Sequence, residues 1–372
     1  MKQAPREQRL TDRQRLSWLR LIRSDNVGPQ TFRDLVNRFG SAEAALEALP
    51  ELAGRGGGKI RICTSAAAEA ELETAHAHGA RFVAIGEADY PPLLKRIPAP
   101  PPLLAIKGQA PVFAMPTIAI VGSRNASLAG IRFARALSQE IGAAGYAVAS
   151  GLARGIDAAA HTGSLDTGTI AALAGGLDRP YPPENVDLCD RIAERGAVVS
   201  EMPFGWEPRA RDFPRRNRLI AGLAHGLLVV EAALRSGSLI SARLAGEFGR
   251  LVFAVPGSPL DPRAAGANGL LKDGAILVTE ARDVLDAVGP QSGVPVRPAS
   301  SFEEPVDTVA APEPLDADRS ALIEALGPTP VELDDLIRHT RLHPAQVSAL
   351  LLELELAGRL ERHSGGSVSL LL

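Results

Sequence analysis

The 372-residue sequence has few aromatic residues, only two cysteines and no long apolar run. Aromatic residues make up 4% of the chain, which excludes a broad stacking platform, so any base stacking must rest on one or two rings. Cys63 and Cys189 form no CxxC unit, so the sequence offers no structural zinc site and favours a reducing compartment. No apolar run approaches ~20 residues, and therefore no membrane span is expected.

The net charge and the N-terminal residues restrict the expected cellular location of the protein and the kinds of partner it can bind. The formal net charge is −3, so any contact with nucleic acid must depend on locally concentrated positive charge. The N-terminal residues are charged throughout and contain no apolar core of a signal peptide. We therefore expect a cytoplasmic protein without membrane contact.

Two strand–glycine–helix junctions follow one another near the middle of the chain. The apolar strand IAIV runs into Gly122, Ser123 and Arg124, and the strand YAVAS ends in Ser150 before Gly151. A helical pattern follows each junction. Glycine lets backbone N–H groups approach a ligand closely, and a helix N-terminus favours an anion. The pair of junctions therefore predicts a site for a phosphate-bearing ligand.

Strand and helix patterns alternate through most of the chain after residue 79. The strand candidates are IAIV, YAVAS, TIAALAG, AVVSEMP, GLLVVEA, LVFAVPG and AILVTE. The alternation predicts an α/β fold, a Rossmann-like doubly wound and mainly parallel sheet, and the nearly continuous apolar strands suit burial on both faces. Ligands bind such sheets beyond the carboxyl ends of the strands. The candidate binding loops follow Val121, Ser150, Gly175, Pro203, Ala232 and Val255.

The N-terminal residues predict a small helical domain. Residues 1–75 show short helical patterns joined by a Val-Gly turn, as in SAM-like or helix–hairpin–helix domains, with Thr31 as the N-cap of the second helix. The glycines at 56–58 stand outside any strand context and predict a flexible turn. The sequence leaves open whether these helices contact DNA or form a packed cap.

The remaining boundaries follow from changes in composition. Residues 76–289 form the predicted Rossmann-like domain, and residues 290–314, rich in Pro, Ser and Glu, form a predicted linker. Residues 315–372 contain three helix candidates and a hairpin with Gly365 and Gly366 at its turn. That order of elements predicts a winged helix.

The predicted recognition helix of the winged helix is acidic. Its sequence, HPAQVSALLLELELAG, contains Glu353 and Glu355 and no lysine or arginine, whereas helices that read DNA carry basic residues. We therefore predict that this module contacts protein, either its own chain or a partner. Arg359 and Arg362 leave modest room for a contact between the wing and phosphate.

Positive charge is concentrated in residues 207–218, EPRARDFPRRNR, which hold five arginines. Guanidinium groups bind phosphate bidentately, and a phenylalanine ring offers a face to a base. The segment follows the strand AVVSEMP and so belongs to the ligand-binding end of the sheet; a solvated arginine loop is the alternative. The predicted ligand contacts are Arg211, Phe213, Arg215, Arg216, Asn217 and Arg218.

Two further features have competing structural explanations. Ser236 and Gly237 open a helix and offer a hydroxyl and bare backbone to a phosphate, but N-capping explains them equally well. Asp157 and His161 lie four residues apart on a helix and could form an acid–base pair. A structural role is favoured, in which Asp157 suits the positive helix end and His161 hydrogen-bonds to it, so no catalytic residue is predicted.

Other ionisable residues give weaker signals. Glu201 and Glu231 follow strand cores and either orient an arginine or are ordinary strand-end charges. The pairs His76/His78 and His339/His343 lack a third ligand at usable spacing, so no metal site is predicted.

Seven strings together carry a family resemblance. They are YPPLL (90–94), IAIVGSR (118–124), SGLARGIDAAAH (150–161), SEMPFG (200–205), FPRRNRLIAGLA (213–224), VVEAALRSGSLISARLA (229–245) and VFAVPG (252–257). With the helical N-terminus and the winged-helix tail, the chain resembles the DNA-processing protein A family, also called DprA or Smf, over nearly its whole length.

The resemblance implies a function and a set of contacts. It implies a non-enzymatic protein that binds single-stranded DNA, protects incoming DNA, forms homodimers through its Rossmann-like domain and helps load the RecA recombinase in natural transformation, with no cofactor. It also implies a DNA pocket that draws on two motifs. The matching residues here are Gly122, Ser123 and Arg124 of the GSR loop and Phe213, Arg216 and Asn217 of the FPxRN string.

Two enzyme classes remain as alternatives from the residues. Phosphoribohydrolases of the lysine-decarboxylase-like type use similar sheets, but the stretch 235–247 lacks their double glycine, and Glu247 lies deep in the helix. A dinucleotide-dependent oxidoreductase is disfavoured because the loop GSRNASLAG is not GxGxxG and Ser150 stands where an acidic residue is expected.

Overall fold

The structure is a computed structural model that describes residues 9–292, 314–363 and 365–371. The chain divides into two compact units: residues 70–292 belong to the first, and residues 10–69 and the described residues after 313 belong to the second. Most of the predicted linker, 290–314, lies outside the described residues. The division into residues 1–75, 76–289, 290–314 and 315–372 stays a prediction.

The helices up to the end of the first unit are α1 (Asp12–Ile22), α2 (Pro29–Phe39), α3 (Ala42–Arg55), α4 (Ser65–Ala77), α5 (Leu128–Ala143), α6 (Ile156–Ser164), α7 (Val186–Arg195), α8 (Asp212–Leu223), α9 (Gly237–Glu247), α10 (Ala265–Lys272) and α11 (Ala281–Ser292). The strands of the first unit are β1 (Ala80–Ala84), β2 (Leu103–Gly108), β3 (Thr117–Val121), β4 (Ala147–Ser150), β5 (Thr169–Ala172), β6 (Ala197–Ser200), β7 (Gly226–Val229), β8 (Leu251–Ala254) and β9 (Ile276–Leu277). In the described parts of the chain, no helix is both long enough and apolar enough to cross a membrane.

The first unit is built on one sheet with the order β1-β2-β6-β5-β4-β3-β7-β8-β9. The seven strands from β6 to β9 pair in parallel, whereas β1 and β2 form an antiparallel extension beside β6. The strands after β3 run to one side as far as β6, and the chain then returns to place β7 on the other side of β3. The predicted Rossmann-like, mainly parallel sheet is confirmed.

Helices cover both faces of this sheet, which explains why its strands are apolar at nearly every position. In β3, Ile118 and Ile120 pack on the face covered by α5, α6 and α11, while Ala119 and Val121 pack on the face covered by α8, α9 and α10. All four side chains are buried. The two-residue period of a strand therefore supplies both cores at once.

The second unit contains the N-terminal helices, and α2 begins earlier than the sequence predicts. Gly28 is its N-cap and Pro29 its first residue, because proline suits a position whose N–H has no partner in the helix. Thr31, the predicted N-cap, is instead fully buried inside the helix, where its hydroxyl donates to Glu355 at 2.8 Å. Gly40, with φ of 76°, ends the helix.

A winged helix completes the second unit. Its elements are α12 (Asp316–Ala325), β10 (Val331–Glu332), α13 (Leu333–Thr340), α14 (Pro344–Leu356), β11 (Leu360–Arg362) and β12 (Ser367–Leu370), with the sheet order β10-β12-β11. Gly365 and Gly366 both have positive φ and lie between β11 and β12, as predicted for the turn of the hairpin. The predicted winged-helix fold is confirmed.

The end of α14 packs into the core of the N-terminal helices. Leu352 and Leu356 are buried in the same apolar cluster as Leu49 of α3. A Cβ atom on Gly56 would overlap the carbonyl oxygen of Glu353, and one on Gly58 would lie 2.6 Å from the carbonyl oxygen of Ala357. The turn predicted at 56–58 is present, its flexibility stays a prediction, and glycine is required at 56 and 58 because two backbones meet there.

The acidic residues of α14 have partners within this unit. Glu353 is 1% exposed, and it accepts hydrogen bonds from Nε and Nη2 of Arg319 at 2.9 and 3.2 Å. Glu355 accepts from Thr31 and from Arg362, so neither carboxylate is a free charge on a recognition surface. Arg359 donates to the carbonyl oxygen of Gly56, which also reduces the predicted freedom of the wing to hold phosphate.

We expect Leu356→Ala to lower the free energy of unfolding of the second unit by about 2–5 kcal/mol, because it opens a cavity where α14 meets the N-terminal helices. Leu371→Ala removes the same atoms from a half-exposed side chain of this unit and should change it little. Urea unfolding followed by circular dichroism measures both. Equal effects of the two substitutions would contradict the shared core.

Candidate nucleic-acid interface

A cleft of about 500 Å³ lies at the carboxyl ends of β3 and β7. The loop after β3 and the loop after β7 leave the sheet toward opposite sides, because the strand order reverses between these two strands. The first turns of α8 close a third side. Residues on all three parts line the cleft: Gly122, Ser123, Arg124, Phe213, Arg216, Asn217, Arg235, Ser236 and Gly237.

The loop after β3 lies against the start of α6. A Cβ atom on Gly122 would lie 2.7 Å from the Ile156 side chain, and one on Gly155 would collide with the carbonyl oxygen of Ser123. The N–H of Ile156 donates to that same oxygen at 3.2 Å. The two predicted glycine junctions are therefore packed against each other, and this contact leaves the exposed Arg124 beside the cleft.

Glu231 joins the two loops that border the cleft. Its carboxylate accepts from the N–H of Ser127 at 2.9 Å and from the Ser127 hydroxyl, and Ser127 is the N-cap of α5. A Cβ atom on Gly130 would lie 2.6 Å from the same carboxylate. Glu231 thus follows the end of β7, as the sequence predicts, and it also holds a serine that fixes the helix start after β3.

Arg216 forms the floor of the cleft. It is 6% exposed, and its Nη1 donates to the carbonyl oxygens of Gly151 and, at 3.0 Å, of Ala172. Burial lowers the pKa of Arg216 to about 10, partly offset by the Asp157 carboxylate, so the group stays charged at neutral pH. The guanidinium thus holds the ends of β4 and β5 together and supplies buried positive charge.

Asn217 also has a positioning role. Its Oδ1 accepts from Nε of Arg216 at 3.2 Å, and its Nδ2 donates to the carbonyl oxygen of Gly237 at 3.2 Å. It therefore ties α8 to the start of α9. Ser236 caps α9 by accepting from the N–H of Ser238, as the structural explanation predicted, and it lines the cleft as well.

Phe213 is surrounded by cationic and aromatic groups. The guanidinium carbon of Arg124 lies 4.9 Å from its ring centroid and that of Arg216 lies 5.8 Å away, both within cation–π range. The ring of Tyr181 lies 5.8 Å away at 68°, in an edge-to-face arrangement. A second cavity of about 160 Å³, lined by Arg124, Phe213, Tyr181 and Arg154, adjoins this cluster.

Tyr181 was not among the predicted site residues. It is 45% exposed and comes from the loop after β5, which begins near Gly175. That loop is one of the six that the sheet pattern singled out, so a search for an aromatic residue within it would have found this ring. The structure gives the cluster two aromatic rings, consistent with the limit set by composition.

The predicted crowd of five arginines around Phe213 is dispersed in the structure. Arg215 and Arg218 form ion pairs with the buried Glu201, the first with an N–O distance of 3.1 Å, and Arg218 also donates to the carbonyl oxygen of Ala99. Glu201 therefore orients arginines, which is one of the two roles predicted for it. Arg211 is exposed and has no ion-pair partner among the described residues.

Part of this segment is helical, and Ser150 does not reach the cleft. The FPRRNR string lies in the first turns of α8 instead of in a loop. Ser150 is fully buried and its hydroxyl donates to the carbonyl oxygen of Ile120 at 2.6 Å, which ties β4 to β3. The prediction of Ser150 as a ligand contact is wrong for that reason. Gly151 lines the smaller cavity.

Three family models match the chain. The model described as DNA recombination-mediator protein A matches residues 81–289, and the DprA-like N-terminal HHH domain and the DprA winged helix domain match residues 12–74 and 306–366. The chain belongs to the DNA-processing protein A family. The resemblance found in the sequence motifs is confirmed.

Known DprA-family proteins resemble this chain over much of its length. The Smf protein of Synechocystis is 33% identical, with 94% of this chain and 96% of that protein covered. The X-ray structure of DprA from Streptococcus pneumoniae has a TM-score of 0.56 at 40% identity, covering 60% of this chain and 77% of that one.

A second solved structure adds a ligand class for its own protein. DprA from Helicobacter pylori, studied for its single-stranded DNA binding mode, has a TM-score of 0.53 at 27% identity, covering 57% of this chain and 96% of that one. Both solved structures agree with the α/β fold of this DprA-family protein.

The helix after β4 contains the Asp157 and His161 pair of this DprA-family protein, and the predicted hydrogen bond between them is not formed. Nδ1 of His161 bonds to the Thr169 hydroxyl at 2.7 Å, and its buried Nε2 has no partner. Burial lowers the pKa of His161 to about 3, so the ring is neutral at pH 7 and is no proton donor there. Burial also raises the pKa of Asp157, although the nearby Arg216 opposes this shift.

No metal-binding cluster stands out near the cleft. Across the described ranges, no group of three or more His, Cys, Asp or Glu side chains is arranged to hold a metal ion. Asp157 is the one carboxylate among the described residues that line the two cavities. The cavity surface is therefore dominated by cationic, aromatic and small polar groups.

We expect His161→Asn to reduce the loss of stability at acidic pH. In the wild type, the unfolded chain binds a proton on His161 below about pH 6.5 while the folded protein does not until about pH 3, so this histidine destabilises the fold as the pH falls through that window. Asparagine does not titrate. Urea unfolding at pH 7 and at about pH 4.5 should show a smaller difference for the variant; an unchanged difference would mean that the buried ring is not neutral.

Proposed function

We propose that this protein binds single-stranded DNA in the cleft between β3 and β7. The observation that carries the proposal is the convergence of two exposed cations and two aromatic rings at one edge of the sheet. Arg124 and Arg235 are exposed there and have no ion-pair partner among the described residues, and Phe213 and Tyr181 lie beside Arg124.

The chemistry of the cleft suits an unpaired strand. Guanidinium groups and the N-terminus of α9 favour phosphate, and Ser236 and Gly237 place a hydroxyl and bare backbone beside them. Ring faces bind bases that are unstacked, and a duplex keeps its base faces covered. The two adjoining cavities, of about 500 and 160 Å³, can accept phosphate and base groups separately.

The comparisons support this ligand and suggest the process. The Helicobacter relative is described by its single-stranded DNA binding mode, and the matched family is described as a recombination mediator. We therefore propose that the protein protects incoming single strands and helps load the RecA recombinase during natural transformation, acting as a homodimer through its Rossmann-like domain. Since the proposed partner RecA is cytoplasmic, we propose the same location for this protein.

The phosphoribohydrolase alternative gains no support from the site. Glu247, the acidic residue considered for it, is the last residue of α9, is half-exposed and pairs with Arg243 at 3.5 Å. It does not line either cavity. Asp157 is buried and hydrogen-bonded to the N–H of Ala153, which leaves it poorly placed to attack a ligand. We therefore propose a binding protein without a catalytic residue.

Reversing one exposed charge tests whether the cleft is the DNA-binding site. Arg124→Glu should weaken binding of a labelled oligothymidine by more than about tenfold, because it removes a phosphate contact and repels the strand. Arg282→Glu makes the same change at an exposed position on α11 that lines neither cavity, and serves as the control. Wild-type affinity in Arg124→Glu, measured by fluorescence anisotropy, would refute the cleft as the binding site.

The strand preference is tested by a gel shift across a salt series. Single strands should bind more tightly than duplexes of the same sequence, and the logarithm of affinity should fall with the logarithm of salt by about 0.7 per phosphate contacted. Equal affinity for duplex and single strand would overturn the proposed ligand class.

The recombinase role has its own assay. The wild type should accelerate RecA filament formation on DNA already covered by a single-strand-binding protein, and Arg124→Glu should lose this effect, while Arg282→Glu should retain it. Acceleration that survives in Arg124→Glu would separate RecA loading from the cleft.

A further inference from the structure

The loop between β6 and α8 brings an aromatic ring and an arginine together outside the cleft. The guanidinium carbon of Arg209 lies 4.8 Å from the ring centroid of Trp206, within cation–π range. Arg209 is exposed and makes no ion pair in the part of the chain that the structure describes, whereas Trp206 is half-buried. We refer to Trp206 and Arg209 as the shelf.

Hydrogen bonds hold the shelf in one conformation. Nε1 of Trp206 and the N–H of Arg209 both donate to Oδ2 of Asp212, at 2.9 and 2.8 Å. The N–H of Gly176 donates to the carbonyl oxygen of Trp206 at 3.0 Å, and Asp178 accepts from the N–H of Gly205 at 2.8 Å. The loop after β5, which carries Tyr181, is thereby fastened to the loop that carries the shelf.

The same bonds place the shelf next to the cleft. Asp212 is 5% exposed and directly precedes Phe213, so the indole that it holds lies close to the backbone of the ring at the cleft wall. Arg211, exposed and without an ion pair among the described residues, lies between Arg209 and Phe213 in the sequence. Glu207 is the one acidic residue exposed on this short loop.

An arginine stacked on an indole is preorganised to bind phosphate. The ring restrains the guanidinium plane, so less side-chain entropy is lost when its N–H groups bind an anion. An unstacked arginine on a loop would have to be ordered at the moment of binding. The fixed loop and the missing ion pair together give Arg209 the features of a ligand contact instead of a structural one.

We infer that the shelf is a second phosphate-binding point, which holds the single strand where it leaves the cleft, with Arg209 contacting phosphate and Trp206 as its positioning residue. The inference rests on the proposed function, because the strand must first occupy the cleft. It predicts that oligonucleotides long enough to pass beyond Phe213 gain affinity from the shelf and that shorter ones do not.

The test compares oligothymidines of about five and about twenty nucleotides with the full-length protein. Arg209→Ala and Trp206→Ala should each weaken binding of the long strand by about three- to tenfold and reduce its salt slope by about 0.7, while leaving the short strand unaffected. Trp206→Phe keeps a ring under the guanidinium and should restore most of the affinity. Glu207→Gln removes the opposing charge and should strengthen binding of the long strand.

Two results would overturn the shelf. If Arg209→Ala binds both lengths like the wild type, the shelf does not contact DNA; if it weakens both lengths equally, Arg209 belongs to the cleft. Failure of the proposed function looks different, because the wild type itself would then bind neither strand. Arg282→Ala, at an exposed arginine of α11 that lines neither cavity, controls for the loss of a single positive charge.

Discussion

The direct parallel pairing of β3 with β7 determines where this protein can hold a ligand. Residues 118–121 pair with residues 226–229, yet the chain leaves these two strands toward opposite sides of the sheet. Two loops therefore diverge above one shared hydrogen-bonded ladder and leave a cleft between them. The link from Glu231 to Ser127 then fixes how far apart the two loop starts lie. Each cation and ring at the site is positioned relative to this pair of strands.

Arginines have two separate roles around the cleft, and the burial of each side chain determines which role it has. Arg216 is buried and donates hydrogen bonds to two carbonyl oxygens, so its role is to fix the shape of the cleft floor. Arg218 is held by Glu201 on the other side of α8. Arg124 and Arg209 instead stack on aromatic rings and remain exposed. Aromatic residues, scarce in the chain, thus orient cations at two points around the cleft.

The sequence predicts the fold well because apolar strands, glycine junctions and helical periods are local features. The site is predicted at the level of loops, since the carboxyl ends of parallel strands are known once the strands are. The direction in which each side chain points does not follow from these local patterns. Nothing in the string FPRRNR distinguishes Arg216, which faces the sheet, from Arg215, which is half-exposed beside Glu201. That distinction depends on helical phase and on a partner fourteen residues earlier in the chain.

The role of the glycines at 56–58 also cannot be predicted from the local sequence, because they pack against the end of α14, about three hundred residues later. This feature has a consequence for synthesis on the ribosome. The core shared by Leu49, Leu352 and Leu356 cannot close until translation has reached the winged helix. The helices α1 to α3 therefore keep an apolar face uncovered while the entire α/β domain is being made, and the winged helix that follows this domain completes their core.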